Sequence, residues 1–207
     1  MCAGWRLWWR AAAVCAALGV AGAGQVAAQG LPPNSGLITP AMVDQIKRLT
    51  QHPIFAIALQ VNNSRHDGLT AAQIQELDAQ WLREAEAGGE TLLVAAVMSN
   101  ALSNYAMRFL GSSLGLYSEF VVADRQGLTA GTSHMMHDYF QADEEWFTAA
   151  IVLEKGQTWW SDLEFHEATG TWRKQISFPV MAEGGSTALG VARIEVNMTE
   201  LNRRSAL

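Results

Sequence analysis

The chain has 207 residues, of which 49% are hydrophobic and only 16% charged. That composition excludes a disordered polypeptide, which cannot bury enough apolar surface to fold. The length fits one domain with an attached helical piece, large enough to bury a core without cross-links.

Residues 1–28 read as a secretory leader. Arg6 and Arg10 form its positive end, Ala11 to Gly24 its apolar run, and Val26-Ala27-Ala28 the small residues of a cleavage site near Gln29. The apolar run is shorter than the ~20 residues a membrane span needs, which favours cleavage over an uncleaved anchor. Cys2 and Cys15, the only cysteines, lie within this leader. A mature chain is therefore expected to have no disulfide framework, thiol nucleophile or cysteine metal site. Without Arg6 and Arg10 the balance is 12 basic against 20 acidic residues, a net charge of −8. Such a surface repels phosphate backbones, and nucleic acid is excluded as a partner. The expected location is periplasmic.

Residues 29–40, with prolines at 32, 33 and 40, read as a linker. A helical region follows over 41–111. Met42, Val43, Ile46 and Leu49 share one face, and Pro53 demands a kink or a restart before Ile54, Ile57, Ala58 and Val61. Asn62-Asn63-Ser64 and His66-Asp67-Gly68 are expected to break that helix. A second begins at Thr70, where Gln73 completes a capping box, and it ends at Gly88-Gly89. A third, from Thr91 to about Leu110, is apolar on nearly all sides and is expected to be buried. Asn100, Ser103 and Asn104 on it read as satisfied core polars.

The pattern changes after Gly111. Tyr117 to Ala123 is a strand, Asp124 to Gly127 a turn, and Leu128 to Thr132 the returning arm of a hairpin. Asp143 to Leu153 forms a short helix. Gln157 to Phe165, Thr171 to Met181 and Thr187 to Asn197 read as strands, and a tail helix starts at Thr199. Three helices followed by five antiparallel strands make an α+β fold, with long N-terminal helices packed on the sheet.

Several residues in this second half carry a family resemblance. They are the D-x-x-G turn at Asp124 and Gly127, Asp138-Tyr139, the helix led by Trp146, the ISFPV strand at Ile176 to Val180, and the final strand from Leu189. In this order they resemble an extracytoplasmic Cache (PAS-like) sensor domain over about residues 90–201, with residues 112–207 as its sensor unit. The resemblance implies a small-molecule pocket between the sheet and the segment 133–162. In amino-acid-binding members an arginine shortly before a Trp-Tyr pair holds the ligand carboxylate. Here Asp143-Glu144-Glu145 precede Trp146-Phe147, so that clamp is missing unless Arg173 or Arg193 reaches the pocket. Members usually sit between two membrane spans and drive an output domain. Neither follows the last element here, so a separate membrane signalling protein is the implied partner.

Carboxylates beside indole faces suit an amine or an amino-acid-like ligand, through charge pairing and cation–π attraction. The candidate ligand contacts are Asp138, Tyr139, Trp146, Trp160, Asp162, Ser177 and Arg193. Asp143-Glu144-Glu145 read as the acidic start of the short helix instead. Arg193 and Glu195 alternate with Ile194 and Val196, which fits a solvated strand face or a pocket wall. His134, His137, Asp138 and His166 lack the matched spacing of a metal site and read as loop histidines beside an acid. No G-x-S-x-G, H-E-x-x-H or phosphate-cradling Gly loop occurs, so neither an enzyme nor a cofactor is expected. Two other functions are open: a divalent-cation sensor through the acidic residues, and an interaction protein whose pocket is filled by its own aromatics. The apolar helical faces from Ala41 to Val61 offer a homodimer surface.

Overall fold

The structure, a computed structural model, describes residues 31–87 and 92–206. The leader, the Gly88-Gly89 helix end and the Thr91 helix start lie outside the described residues. A 3-10 turn at Ser35–Leu37 leads into α1 (Pro40–Leu49), whose cap is the Thr39 hydroxyl accepting from the Met42 backbone N–H. The chain restarts at Pro53 as α2 (Pro53–His66), with His52 as its N-cap. Proline costs nothing at a helix start because that N–H has no intrahelical partner.

Residues Asn62-Asn63-Ser64 do not break this helix; α2 runs through them. Tertiary bonds override their turn preference. Asn63 Nδ2 donates to the Leu189 carbonyl at 2.7 Å, and its Oδ1 accepts from the Arg125 N–H at 2.9 Å. Next comes α3 (Ala71–Ala87), opened by the reciprocal Thr70–Gln73 capping box. The expected single helix to Leu110 is instead two, α4 (Leu92–Met98) and α5 (Ala101–Ser112). Asn100 divides them. Its Oδ1 caps the Ser103 N–H at 2.8 Å, while its Nδ2 reaches the Ala130 carbonyl at 2.9 Å.

The sheet comprises β1 (Tyr117–Asp124), β2 (Thr129–Thr132), β3 (Trp159–Trp160), β4 (Glu164–His166), β5 (Thr171–Met181) and β6 (Ala188–Asn197). A short helix, α6 (Glu145–Ile151), lies between β2 and β3, and α7 (Met198–Ser205) follows β6. Strand order is β2-β1-β6-β5-β3, with β4 also pairing β5, and every pairing is antiparallel. The expected strand 157–165 is thus two pieces. Between them the Gln175 N–H donates to the Ser161 hydroxyl at 2.9 Å in place of a backbone carbonyl, and the ladder is interrupted.

The protein is α+β, with helices on both faces of the sheet. One face carries Phe120, Val122, Ile176, Phe178, Ala192, Ile194 and Val196 against α1, α2 and α5, through Ile46, Phe55, Leu59, Leu102 and Ala106. The opposite face presents Val121, Ala123 and Val191 to Trp81 of α3, Val94 and Val97 of α4, and Trp146 and Phe147 of α6. No described helix is long and apolar enough to cross a membrane.

Gly190 permits the close approach of β6 to β1 under α2. A Cβ there would lie 2.1 Å from the Ala123 carbonyl oxygen and 2.9 Å from Leu59 Cδ2. Gly190→Ala is expected to cost about 3 kcal/mol by overpacking. Gly111→Ala, on α5 with open space at its Cβ, is expected to gain about 0.5–1 kcal/mol through helix propensity. Denaturant melts of both variants check the pair; equal losses would contradict the packing described.

Candidate ligand-binding cleft

The second face of the sheet changes character along its length. Beyond Val121 and Val191 toward the other end, the inward positions become Glu119, Arg193, Glu195, Ser177, Gln175 and Arg173. Cross-strand pairing sets Ser177 opposite both Trp159 and Arg193, so these three side chains share this face. Arg193 Nη2 binds Glu119 Oε1 at 2.5 Å, and Arg173 Nη1 binds Glu195 Oε1 at 2.7 Å. Ser118 Oγ donates to the same Glu195 oxygen at 2.7 Å. Burying such pairs costs desolvation that only good geometry and further hydrogen bonds repay.

A cleft of about 370 Å³ opens over this polar half, between the sheet, α6 and the β3–β4 segment. Its aromatic walls are Trp146, Trp159 and Trp160, and Gln175 and Arg193 lie beneath. Glu144, Glu145, Asp162 and Glu164 bring four carboxylates to it. The Arg193 guanidinium sits 4.8 Å from the centre of the Trp146 ring, a cation–π contact, and the residue is 7% exposed. Three polar atoms here are buried without a hydrogen-bond partner among the described residues: Arg193 Nε, Ser177 Oγ and Trp146 Nε1. Buried donors are nearly always paired, so each one left over calls for an explanation.

Of the residues expected from sequence to touch a ligand, the structure brings Trp146, Trp160, Asp162 and Arg193 to this cleft, with Ser177 next to Arg193 on the sheet. It sets Asp138 and Tyr139 apart. Tyr139 is 2% exposed, stacks on Trp81 with ring centres 5.5 Å apart, and belongs to the second core. Its backbone N–H and that of Phe140 donate to Asp78 Oδ1 of α3, and Trp81 Nε1 donates to the Met136 carbonyl. The segment before α6 is therefore strapped to α3. Burial and the Asp124 charge push the Tyr139 hydroxyl well above its ordinary range.

Glu144 and Glu145 stand at the start of α6, as expected, yet Glu144 makes no side-chain cap bond and both line the cleft. Trp159 and Glu164 belong to the acidic and aromatic group of the sequence without being singled out there as ligand contacts, and Gln175 was not a sequence candidate. For Trp159 and Gln175 the signal lies in strand register, since pairing with β5 and β6 decides which face each side chain takes. Arg173 is occupied by Glu195, Thr169 and Thr171. His134 Nε2 lies 3.6 Å from Glu119, and His166 Nδ1 contacts the Thr169 hydroxyl. Among the described residues no group of three or more His, Asp or Glu side chains is arranged to hold a metal ion.

No family model matches the chain, and no curated protein matches it. Solved structures do. The chain is similar to the sensor domain of the V. cholerae histidine kinase DctB (14% identity, TM-score 0.38, 79% of this chain and 58% of that one). It is similar to the ligand-binding domain of the Campylobacter jejuni chemoreceptor Tlp3 in complex with L-valine (10%, 0.39, 78% and 63%). It is also similar to the ligand-binding domain of the Pseudomonas aeruginosa amino acid chemoreceptor PctC in complex with GABA (14%, 0.35, 78% and 62%). The chain spans less than two thirds of the length of each.

Asp138 is held above its ordinary carboxyl range chiefly by burial, with Asp78 and Asp143 adding repulsion against the lowering effect of its Gln141 hydrogen bond. A carboxyl raised in the folded state binds more protons there than when unfolded, so it subtracts stability as pH rises through that window. Asp138→Asn keeps the acceptor for Gln141. It is expected to melt higher than the parent at pH 7 and to lose that advantage below about pH 4. Thermal melts across pH check this; a lower melting temperature at pH 7 would contradict it.

Proposed function

We propose that the protein is a periplasmic sensor module of the Cache (PAS-like) kind, which binds a small amine-bearing molecule in the cleft between the sheet and the 144–164 segment. It is a binding protein rather than an enzyme. The observation that carries this reading is the cleft itself: three tryptophan side chains and four carboxylates, with Gln175 and Arg193 also in its lining. Indole faces attract an ammonium group by their quadrupole, and the carboxylates add charge pairing in a partly desolvated setting. Arg193 lies under the cleft on β6, in place of the arginine missing before Trp146.

Binding would draw α6 and the β3–β4 segment onto the sheet. A state that closes this way is favoured by the ligand's differential affinity for it, and a separate membrane signalling protein would read the change. The exposed Ile57 and Val61, one helical turn apart on α2, form the face on which a second copy would pack. Secretion through the cleaved leader brings the module to that compartment.

Thermal unfolding against a panel of amines, amino acids, dicarboxylates and divalent ions tests the reading. A ligand at a hundred times its Kd adds about 2.7 kcal/mol, roughly 5–10 °C for a chain of this size. The expected outcome is a shift with amine-bearing compounds that Trp160→Ala and Asp162→Asn both abolish. A shift with divalent ions alone, or with nothing, would overturn it.

A further inference from the structure

Lysine is rare in this chain, and the fold gathers it in one place. The three lysines are Lys47, Lys155 and Lys174. All of them meet the turn that runs from the end of α6 into β3. Lys47 of α1 donates through Nζ to the Gly156 carbonyl, and Lys155 is the residue before that glycine. Lys174 Nζ, from β5, lies 6.0 Å from the centre of the Trp160 ring. Elements far apart in sequence thus bring their ammonium groups to a single turn.

No lysine is in an ion pair among the described residues, although Asp44 lies one turn before Lys47 and Glu154 adjoins Lys155. By contrast Arg83, Arg173, Arg193, Arg203 and Arg204 each bind a glutamate. An ammonium carries three donors, so Lys47 keeps two after its bond to Gly156. Exposed Val152 and Trp160 add apolar surface beside the three charges. Acidic residues outnumber basic ones by 20 to 14 over the chain. An acidic partner is therefore repelled by most of this surface and steered to the lysine turn. Patches that hold proteins to anionic lipid usually count about four to eight basic residues, so three suit a short acidic segment better.

We propose that Lys47, Lys155 and Lys174 form a docking surface for an acidic segment of a partner protein. This rests on the reading that a separate signalling protein senses the cleft, and it names the chemistry of that protein. Trp160 belongs to both places, since it lines the cleft and lies against Lys174. Closure of the β3 segment over a ligand would shift the turn that spaces the ammonium groups.

Fluorescence anisotropy of a labelled oligoglutamate peptide, titrated with the protein and no cleft ligand, tests this. The peptide is expected to bind, and to weaken about tenfold between about 50 and about 300 mM NaCl as screening grows. Lys47→Gln, Lys155→Gln and Lys174→Gln combined are expected to weaken it about tenfold or more. Arginine at the same three positions is expected to keep it. Lys155→Gln with Lys174→Gln retains the Lys47 bond, and is expected to lose most of the binding even if the triple variant fails to fold. Arg65→Gln, Arg83→Gln and Arg108→Gln combined remove as much charge from exposed sites on α2, α3 and α5. They are expected to change binding by less than about threefold. Equal losses in the lysine and arginine sets, or no peptide binding, overturn the proposal. Lysine-dependent binding to phosphatidylglycerol vesicles without peptide binding, or a lysine-dependent dimer in sedimentation, also overturns it. Each of these leaves the amine-binding reading standing, because the melts that test that reading probe the cleft alone.

Discussion

Strand β6 is hydrogen-bonded along both edges, to β1 and to β5, and covered on both faces. Each residue from Gly190 to Val196 therefore meets a neighbour on one of two opposed surfaces, and the two-residue period of a strand assigns them. Ala192, Ile194 and Val196 go to the core under α1, α2 and α5. Val191, Arg193 and Glu195 go to the other side. A one-residue slip would drive Arg193 into the aliphatic core and expose Ile194, so the register is strongly specified. The close approach of β1 at Gly190 anchors one end of this arrangement.

That same register creates the site. An all-apolar second face would close over with side chains, as it does around Val121, Val191 and Tyr139. Where the face carries Arg193, Glu195, Glu119 and Ser177, α6 rests on a guanidinium instead of a methyl surface. The arginine is held by Glu119 on one side and by the Trp146 ring on another, so its head group has little freedom. Preorganisation of this kind lowers the entropic cost of receiving a ligand. The interaction-protein alternative describes one half of the face well, and the cleft occupies the other half.

The walls of the cleft are tied to both layers of helices. On one side α6 continues from the strap that Asp78 and Trp81 hold against α3. On the other, the turn before β3 meets α1, where Lys47 Nζ donates to the Gly156 carbonyl. Movement of α6 or of β3 is thus constrained by helices that lie on opposite faces of the sheet.

Much of this architecture is local and was legible in the sequence. The strands read at 117–123, 171–181 and 187–197 follow from strand-forming runs bounded by turn residues, the Pro53 restart from a missing N–H, and the start of α3 from the Thr70–Gln73 box. Trp146, Trp160 and Asp162 carry acidic and aromatic character that the sequence displays, while the alternation of Arg193 with Ile194 left a solvated face and a pocket wall both open until the pairing of β6 was known. Partners far away in sequence decided the rest. Asn63 stays helical because Leu189 and Arg125 satisfy its amide, and Asn100 divides a helix because it caps Ser103 while bonding Ala130. Tyr139 goes to the core because Trp81 offers a ring to stack on. Composition and period determined which segments are strands and helices and what chemistry they carry, since those depend on neighbours within a few residues. Only the tertiary structure decided which polar side chains share a cavity, because burial and hydrogen-bond satisfaction are settled between segments that the sequence keeps apart.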